Sequence, residues 1–529
     1  MRIGKLEIAV FICGAAVMAV ELFGSRLLAP YMGNSIYTWT SLIGVVLGAL
    51  SLGYWAGGKL ADRMAESAEF CHGEVPQNFA SYCEAIWSHR EAMRIAETGN
   101  PHREAMGKQG NDWAASRCDR KRETEVLGAI ILGAAVSTAA IVPLSVVAQA
   151  SFQILGAKYG PLFASMAIFS VPSFLFGMVS PYAIRIRAER MGAVGSTAGN
   201  MYAISTAGSI SGTMLAGFVL IPAFGVKLLV LWTAAATLGA ALLCFPGLKR
   251  AAAVSLLLIL GASMFPAYPE IGGTVYAKDS EYYLIRVVDR GEDRLLLLDM
   301  YLNSGEKADS GEPLFDYTYC SLVALRAVPE PGNVLFLGLG GGTMPRYFLR
   351  NTDAGVDVIE IDPAVVRAAE EYFGLQESER MNVIAGDARE ELKGLGKYDI
   401  IYIDAFNSYA VPYHLTTLEA AQEIKGHLGE GGAVVMNVIS TPEGVGSGFF
   451  RAEYETYSSV FRDVYAFPVR GRGAGVQNII LLASDRELPL EIFEGVECAA
   501  DYMEPEEGVL LTDDFAPVEN LMAEVYAQR

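Results

Sequence analysis

The sequence predicts a multi-span α-helical membrane domain followed by an α/β domain with a mostly parallel sheet, the latter preceded by a small β-hairpin region. The membrane part is predicted by a hydrophobic content of 52%, which is high for a soluble chain of 529 residues. The α/β part is predicted by short apolar runs that alternate with helical segments, and by a glycine-rich turn after the first of these runs. The expected domain bounds are 1–268, 269–331 and 332–529.

Seven apolar stretches make up the predicted membrane domain, at about 6–28, 38–55, 126–148, 162–183, 201–224, 228–245 and 251–268. Because a helix needs ~20 apolar residues to cross the hydrocarbon, and about 17 at the least, each stretch is a candidate span. The first stretch follows a basic start and has no small-residue cleavage site, so we expect it to be retained. This predicts a multi-pass protein of the cell (inner) membrane, with the lipid bilayer as a partner.

A polar insertion at 64–120 separates the second and third spans. It holds three of the five histidines and three of the seven cysteines, but their separations are irregular and none has metal-ligand spacing. We therefore expect an ordinary loop here and no metal site in the chain. The cysteines contain no CxxC pair and no spacing typical of a disulfide framework, so they leave the redox compartment open.

Charge is divided unevenly between the two halves. Residues 1–268 carry 20 basic and 15 acidic side chains, whereas residues 269–529 carry 20 basic and 45 acidic ones. An acidic domain repels nucleic acid and attracts polycations, which excludes a nucleic-acid partner and favours a cationic small molecule. A solvated acidic surface is the alternative explanation.

The second half begins with a strand-rich region, in which EYYLIRVVD and RLLLLDMYL form a predicted hairpin. Predicted strands then alternate with helices, in the order NVLFLGL, VDVIEID, NVIAG, YDIIYID and AVVMNVI, and a closing pair near VYAFPV and NIILLAS suggests an antiparallel edge. This is the Rossmann-like arrangement of S-adenosylmethionine-type enzymes.

A glycine loop follows the first of these strands, at Gly338, Gly340 and Gly342. Glycine lets the backbone turn tightly and approach a ligand closely at the carboxyl end of a strand. Such a loop also serves dinucleotide binding, so alone it leaves the ligand open.

Acidic residues at later strand ends make the ligand more specific. Glu360 lies about twenty residues past the loop, where a carboxylate can accept the ribose hydroxyl protons, and Asp362 is close by. Asp387 follows the third strand, where it can receive an adenine amino group beside the backbone donor of Ala388. Asp404 ends the fourth strand, where the reactive end of the ligand is expected. These carboxyl ends converge on one crevice.

From about residue 280 onward, the chain resembles the spermidine synthase (polyamine aminopropyltransferase) family. The matching segments are LDMYLNS, FDY, the glycine loop, IEID, GDA and IDAF followed by VPYHL. GGKLADR at 57–63 and the terminal LTDDFAPVENL resemble the subfamily with fused membrane spans.

The resemblance implies an enzyme that transfers an aminopropyl group from decarboxylated S-adenosylmethionine to an amine such as putrescine. It implies that Glu360 holds the ribose and Asp387 the adenine. It also implies that Asp404 is the base near the incoming amine and that Tyr317 helps to orient or deprotonate that amine. Family members often form dimers through the hairpin region, so a homodimer is expected.

Four residues depart from the family pattern. Gly341 and Asn407 stand where soluble members carry acids that bind amines, Tyr319 replaces an acid, and Tyr283 replaces a glutamine. These changes leave two alternatives open. One is an S-adenosylmethionine-dependent methyltransferase of an amine or membrane-associated substrate. The other is a polyamine transporter or sensor with a regulatory nucleotide domain.

The side of the membrane that the α/β domain faces is predicted in two opposite ways. Supply of a nucleotide-derived cosubstrate favours the cytoplasm, with the short seventh stretch lying along the interface. Seven full spans favour the other side, because the positive-inside rule makes the basic loops cytoplasmic. The residues that carry this charge are Arg2, Lys5, Lys59, Arg63, Arg120, Lys121, Arg122, Arg185, Arg187, Arg190, Lys249 and Arg250.

Overall fold

A computed structural model describes residues 4–33, 35–73, 103–191, 194–405, 411–473 and 475–526. Most of the insertion at 64–120, and Asn407, therefore lie outside the described residues. The described N-terminal half is helical, with α1 Lys5–Met32, α2 Ile36–Gly73, α3 Arg103–Leu144, α4 Val146–Met191, α5 Val194–Leu215, α6 Ile221–Cys244 and α7 Lys249–Ser263. Within these ranges there is no group of three or more residues that could hold a metal ion.

Six helices among the described residues are long and apolar enough to cross a membrane. They are Lys5–Met32, Ile36–Met64, Glu123–Leu144, Val146–Ala188, Gly195–Leu220 and Ala223–Cys244. The seventh apolar stretch forms α7, whose 15 residues are fewer than the ~20 that a full crossing needs.

Glycine lets the apolar helices of the N-terminal half approach one another closely. A Cβ atom added to Gly53 of α2 would lie 2.2 Å from the Phe174 carbonyl oxygen of α4. A Cβ atom added to Gly208 of α5 would lie 2.1 Å from the Phe11 carbonyl oxygen of α1. Since no side chain fits at such distances, these glycines fix backbone-to-backbone packing, as small residues commonly do in membrane bundles.

The predicted hairpin is part of a four-stranded antiparallel sheet. Its strands are β1 Thr274–Asp279, β2 Leu284–Arg290, β3 Asp293–Leu298 and β4 Tyr301–Lys307. The turn between β2 and β3 contains Gly291, which has a φ of +63° and so adopts a conformation that glycine tolerates best.

A seven-stranded sheet forms the centre of the C-terminal unit, in the order β10-β11-β9-β8-β5-β6-β7. The strands are β5 Asn333–Leu337, β6 Gly355–Glu360, β7 Met381–Ala385, β8 Tyr398–Ile403, β9 Leu428–Ser440, β10 Asp463–Pro468 and β11 Gln477–Ser484. β5 to β9 pair in parallel, whereas β10 and β11 add an antiparallel edge. The predicted fold class is therefore confirmed as a helical region with six apolar candidate spans followed by a Rossmann-like α/β domain.

The sheet is buried on both faces. Along β5, Leu335 and Leu337 belong to one apolar core, and Val334 and Phe336 belong to the other. The covering helices include α8 Asp316–Cys320, α9 Ala324–Ala327, α10 Thr343–Asn351, α11 Pro363–Phe373, α12 Ala388–Leu392, α13 Leu418–Gly426, α14 Gly448–Ser458 and α15 Val518–Tyr526. β5 pairs with β6 on one side and with β8 on the other, so the order of the parallel strands reverses at β5. A ligand crevice is expected at the carboxyl end of β5 for this reason.

A disulfide bond links Cys320, at the end of α8, to Cys498, with 6.0 Å between the two Cα atoms. The two cysteines are 178 residues apart, so no local spacing pattern could have predicted the pair.

Candidate active site

Two cavities lie at the carboxyl ends of the parallel strands. The first, of about 200 Å³, is called the glycine-loop cavity here and is lined by residues that include Gly338, Gly340, Glu360, Asp387 and Ala388. The second, of about 310 Å³, is called the amide cavity and is lined by residues that include Asn437, Gln477 and Asn478. Asn303 and Asp404 line both cavities. A ligand in one cavity would therefore meet a ligand in the other beside Asp404.

The glycine loop closes one wall of the first cavity. Gly338 has a φ of +105°, and a Cβ atom added there would lie 2.4 Å from the Asp404 carbonyl oxygen. A Cβ atom added to Gly340 would lie 2.8 Å from the Asn303 side-chain oxygen. Gly342 has a different role, because its φ of +69° places it as the left-handed residue before α10. The loop thus brings bare backbone to the cavity at Gly338 and Gly340.

Glu360 ends β6 and is buried, with 7% of its surface exposed. Its two carboxylate oxygens accept hydrogen bonds from the Leu339 N–H at 3.0 Å and the Asp362 N–H at 2.9 Å. Burial raises the pKa of the Glu360 carboxyl to about 7, although these backbone donors oppose the shift. Each oxygen retains a lone pair, so the carboxylate can still accept two hydroxyl protons from a ribose.

Asp362 is used inside the fold rather than at the cavity wall. It is the N-cap of α11, where it accepts a hydrogen bond from the Ala364 N–H at 2.8 Å. Its other carboxylate oxygen accepts the hydroxyl of Ser280 in the hairpin region. Asp362 therefore joins the two sheets through its side chain and contacts the ligand cavity only through its neighbours.

Asp387 caps α12 and faces the glycine-loop cavity. Its carboxylate accepts the Arg389 N–H at 2.9 Å, and one oxygen lies 3.0 Å from His414 Nε2. Ala388 lies next to it on the same wall. This wall can offer a carboxylate acceptor and a backbone donor to a heterocycle.

Asp404 follows β8 and is held from two sides. The Asn437 side-chain amide donates to one oxygen at 2.8 Å, and the Tyr317 hydroxyl donates to the other at 3.3 Å. Asn437 in turn accepts from the Asn478 amide at 2.9 Å. Burial raises the pKa of the Asp404 carboxyl, while the hydrogen bonds from Asn437 and Tyr317 oppose the shift.

Seven of the nine residues that the sequence predicts for the site line one of the two cavities. Gly338, Gly340, Glu360, Asp387, Ala388 and Asp404 line the glycine-loop cavity, and Tyr317 lines the amide cavity. Gly342 belongs to the same loop, whereas the Asp362 side chain is directed into the fold. Asn303, Asn437 and His414 were not predicted as site residues. Asn437 could have been predicted from the sequence, because it is the single polar residue in the apolar run AVVMNVI.

The departures from the family pattern have distinct surroundings. A Cβ atom added to Gly341 would lie 3.0 Å from both Phe373 and Ser304. Tyr283 lines the glycine-loop cavity. The Tyr319 hydroxyl donates to the Pro313 carbonyl at 3.0 Å, outside both cavities.

The fold and the convergence of these residues define the class of S-adenosylmethionine-type transferases. No protein-family model matches the chain. The chain is 33% identical to a polyamine aminopropyltransferase of Vibrio vulnificus over 229 residues, which cover 38% of this chain and 74% of that protein. The chain belongs to the polyamine aminopropyltransferase family, which confirms the prediction of a transferase of this type.

Two further similarities involve other proteins. An 88-residue segment is 36% identical to a Danio rerio protein described as an eEF1A lysine and N-terminal methyltransferase, over 15% of this chain and 13% of that protein. A probable spermidine synthase from Corynebacterium glutamicum superposes with a TM-score of 0.38 at 23% identity, over 45% of this chain and 92% of that structure.

Proposed function

We propose that the protein is a membrane-bound aminopropyltransferase that uses decarboxylated S-adenosylmethionine and a small amine such as putrescine. The observation that carries the proposal is the position of Asp404, whose carboxylate lies where the two cavities meet. In this arrangement the sulfonium cosubstrate occupies the glycine-loop cavity and the acceptor amine occupies the amide cavity.

The residues of the glycine-loop cavity fit an S-adenosyl nucleotide. Glu360 would accept the ribose hydroxyls, and Asp387 with Ala388 would bind the adenine edge. Gly338 and Gly340 support this assignment, because they present backbone without a side chain to the cavity. A Cβ atom at either position would collide with Asp404 or Asn303, which also line the cavity. The sulfonium supplies an electrophilic carbon and leaves as a neutral thioether.

Asp404 would act as the general base. An amine is mostly protonated near neutral pH, and only its free base can attack carbon. A carboxylate with a raised pKa is better matched to that proton transfer. The nitrogen–carbon bond then forms as the carbon–sulfur bond breaks, and the amine proton goes to Asp404. Burial and the Asp404 charge raise the pKa of Tyr317 well above its usual value, so its phenol stays protonated and orients Asp404 rather than accepting a proton.

Methyl transfer from S-adenosylmethionine is the second candidate. It is favoured by Gly341, which lacks the acid that family members use for the amine of the decarboxylated cosubstrate. The short similarity to a methyltransferase is consistent with it.

The full chain, purified in lipid nanodiscs, separates the two candidates. Incubated with decarboxylated S-adenosylmethionine and putrescine, it is expected to release methylthioadenosine and spermidine. Incubated with S-adenosylmethionine and the same amine, it is expected to release no S-adenosylhomocysteine. The reverse result would replace aminopropyl transfer by methyl transfer, and saturable uptake of polyamine into vesicles without either product would favour the transporter alternative.

A further inference from the structure

The first membrane helix reaches into the wall of the glycine-loop cavity. Arg26, near the end of α1, donates from Nη1 to the Tyr282 carbonyl at 2.8 Å and from Nη2 to the Ser280 carbonyl at 2.7 Å. A planar guanidinium that binds two carbonyls fixes their separation and orientation. Arg26 therefore holds the turn that precedes β2.

That turn is also connected to the ligand cavity. The Ser280 hydroxyl oxygen accepts from the Tyr282 N–H at 3.0 Å and the Tyr283 N–H at 2.9 Å, and the same hydroxyl binds Asp362. Tyr282 and Tyr283 line the same cavity as the glycine loop. A shift of the turn would therefore move two aromatic side chains of the cavity wall.

A second membrane helix supports the same turn. The Val226 N–H of α6 donates to the Asp279 carboxylate at 3.1 Å. Asp279 immediately precedes Ser280, so contacts from two membrane helices converge on four consecutive residues. The membrane domain is thus part of the scaffold of the site as well as an anchor.

We propose that Arg26 is a positioning residue, which lets the membrane domain set the affinity of the active site for the S-adenosyl cosubstrate. This inference rests on the proposed function, because it assigns the glycine-loop cavity to that ligand. It predicts that Arg26 affects cosubstrate binding more than the chemical step or the acceptor.

The test measures the affinity of full-length variants in nanodiscs for S-adenosyl nucleotide by calorimetry, together with the KM of each substrate. Arg26→Gln is expected to weaken cosubstrate binding about tenfold and to leave the acceptor KM within about twofold. Arg26→Lys should restore part of the affinity. Arg187→Gln is the matched control, since it removes another arginine of the membrane domain, one paired with Glu7 at 3.0 Å.

Ser280→Ala approaches the same turn from the hairpin side and should give a similar loss that is not additive with Arg26→Gln. If the wild type and a folded Arg26→Gln variant bind S-adenosyl nucleotide with equal affinity, the positioning role of Arg26 is refuted and the proposed function is unaffected. A wild type that binds no S-adenosyl nucleotide would instead refute the proposed function.

A separate observation concerns which side of the membrane the α/β domain faces. Most of the described basic residues of the membrane domain gather at one end, called the basic end here. The Cys244 thiol donates to the Lys5 carbonyl at 3.2 Å, Arg187 pairs with Glu7, and Arg185 lies 3.9 Å from Asp62. The described basic residues at or next to this end in the chain are Lys5, Lys59, Arg63, Arg185, Arg187, Lys249 and Arg250.

The α/β domain contacts the opposite end. Arg26, which binds the hairpin region, is about 30 Å along α1 from Lys5 at ~1.5 Å per residue. The Ile36 N–H donates to Glu519 and the Tyr37 hydroxyl to Asn520, both at 3.0 Å. Among the described residues, this end has fewer basic ones, namely Arg26, Lys158 and Lys227.

The last apolar stretch crosses from one end to the other. α7 begins with Lys249 at the basic end, and the chain after it reaches Ala267, whose carbonyl accepts the Tyr31 hydroxyl at 3.4 Å beside the α/β domain. The path from 249 to 267 therefore runs the length of the bundle, although α7 alone is short for a span.

The geometry points to an α/β domain on the non-cytoplasmic side, with the basic end in the cytoplasm. The disulfide bond between Cys320 and Cys498 agrees, because disulfides persist in oxidising compartments. Its formation passes two electrons from the two thiols to a thiol–disulfide oxidoreductase of that compartment and releases two protons. Both substrates would then have to be exported or formed on that side.

Labelling of intact cells with a membrane-impermeant maleimide tests this orientation. Glu494→Cys, in the α/β domain, is expected to react in intact cells, whereas Lys249→Cys is expected to react only after permeabilisation. Cys320 and Cys498 should resist alkylation until a reductant is added. The opposite labelling pattern would overturn the orientation. Alkylation of Cys320 and Cys498 without a reductant would overturn it as well.

Discussion

The Asp404 carboxylate, the proposed general base, is held in place by side chains from two other segments of the chain. Asp404 follows β8, Asn437 lies in β9 and Tyr317 in α8, and both neighbours donate to the Asp404 oxygens. With both donors in place, the carboxylate has one preferred orientation toward the junction of the cavities.

Asp404→Asn is expected to lower kcat by about 10²–10⁴-fold, because the amide cannot accept the proton of the amine. The dissociation constant of S-adenosyl nucleotide should stay within about twofold, since Glu360 and Asp387 are unchanged. Asp399→Asn in the same strand is the control, because Asp399 binds only the backbone at Gly332 and Asn333. Turnover equal to that of the wild type in Asp404→Asn would remove Asp404 as the base.

Glu360 predicts a pH dependence of cosubstrate affinity. The pKa of Glu360 is about 7, above the usual 4.5. Between pH 4.5 and pH 7 the folded protein therefore binds more protons than the unfolded chain, and its free energy of unfolding falls as the pH rises. The ribose hydroxyls need the ionised form, so affinity should instead rise with pH, by roughly tenfold from pH 6 to pH 8. Calorimetry in two buffers should detect the release of a proton when the S-adenosyl nucleotide binds. The Glu360→Gln variant should bind this nucleotide weakly at every pH. A flat affinity profile in the wild type would contradict this assignment.

At the residue scale, the sequence predicts the acids and misses the amides. Glu360, Asp387 and Asp404 are visible because the carboxyl ends of parallel strands meet at one edge, so acids at strand ends must converge. Asn437 and Asn303 come from strands whose register and facing side depend on the packing of both sheets. Arg26 is separated from its partner Tyr282 by 256 residues, and no local pattern reports such a contact.

At the scale of elements, the turn from β5 to α10 packs the glycine loop against the backbone of Asp404, the proposed general base. Gly338→Ala would place a methyl group against the Asp404 backbone at a φ of +105°, which L-residues rarely adopt. We expect a loss of unfolding free energy on the order of 1–3 kcal/mol and a marked loss of turnover. Gly396→Ala is the control, because a Cβ atom there meets nothing within 4 Å. Equal thermal stability and activity in both variants would contradict this role of the packing.

The elements themselves were largely predictable, with exceptions that have physical causes. Short apolar runs that alternate with helical segments predict β5 to β11, because strands buried on both faces consist mostly of apolar residues. The seventh apolar stretch was predicted as a span, but its helix ends at Ser263 and the chain continues in non-helical form. The pair Cys320 and Cys498 depends on how α8 packs against the C-terminal segment, which spacing alone does not encode.

At the scale of the whole molecule, the acidic C-terminal half is expected to concentrate cations near the α/β domain. Residues 269–529 carry 45 acidic and 20 basic side chains, whereas residues 1–268 have a slight excess of basic ones. Because exposed charges act together over roughly a Debye length, the field should steer a polyamine toward the α/β domain. The field contributes to encounter and not to the chemical step.

The prediction is therefore a salt effect on kcat/KM alone. Raising the ionic strength from about 10 mM to about 150 mM shortens the Debye length from ~30 Å to ~8 Å. For a doubly charged acceptor at saturating cosubstrate, kcat/KM should fall about three- to tenfold, while kcat at saturating acceptor stays constant. A singly charged amine of similar size is the control and should show a shallower decrease, because attraction scales with the charge of the ligand. An equal decrease of kcat/KM with ionic strength for the two amines would show that the acidic surface does not steer the acceptor. Its effect would then be on solubility, and the acceptor would be bound by Asp404 and its neighbours alone.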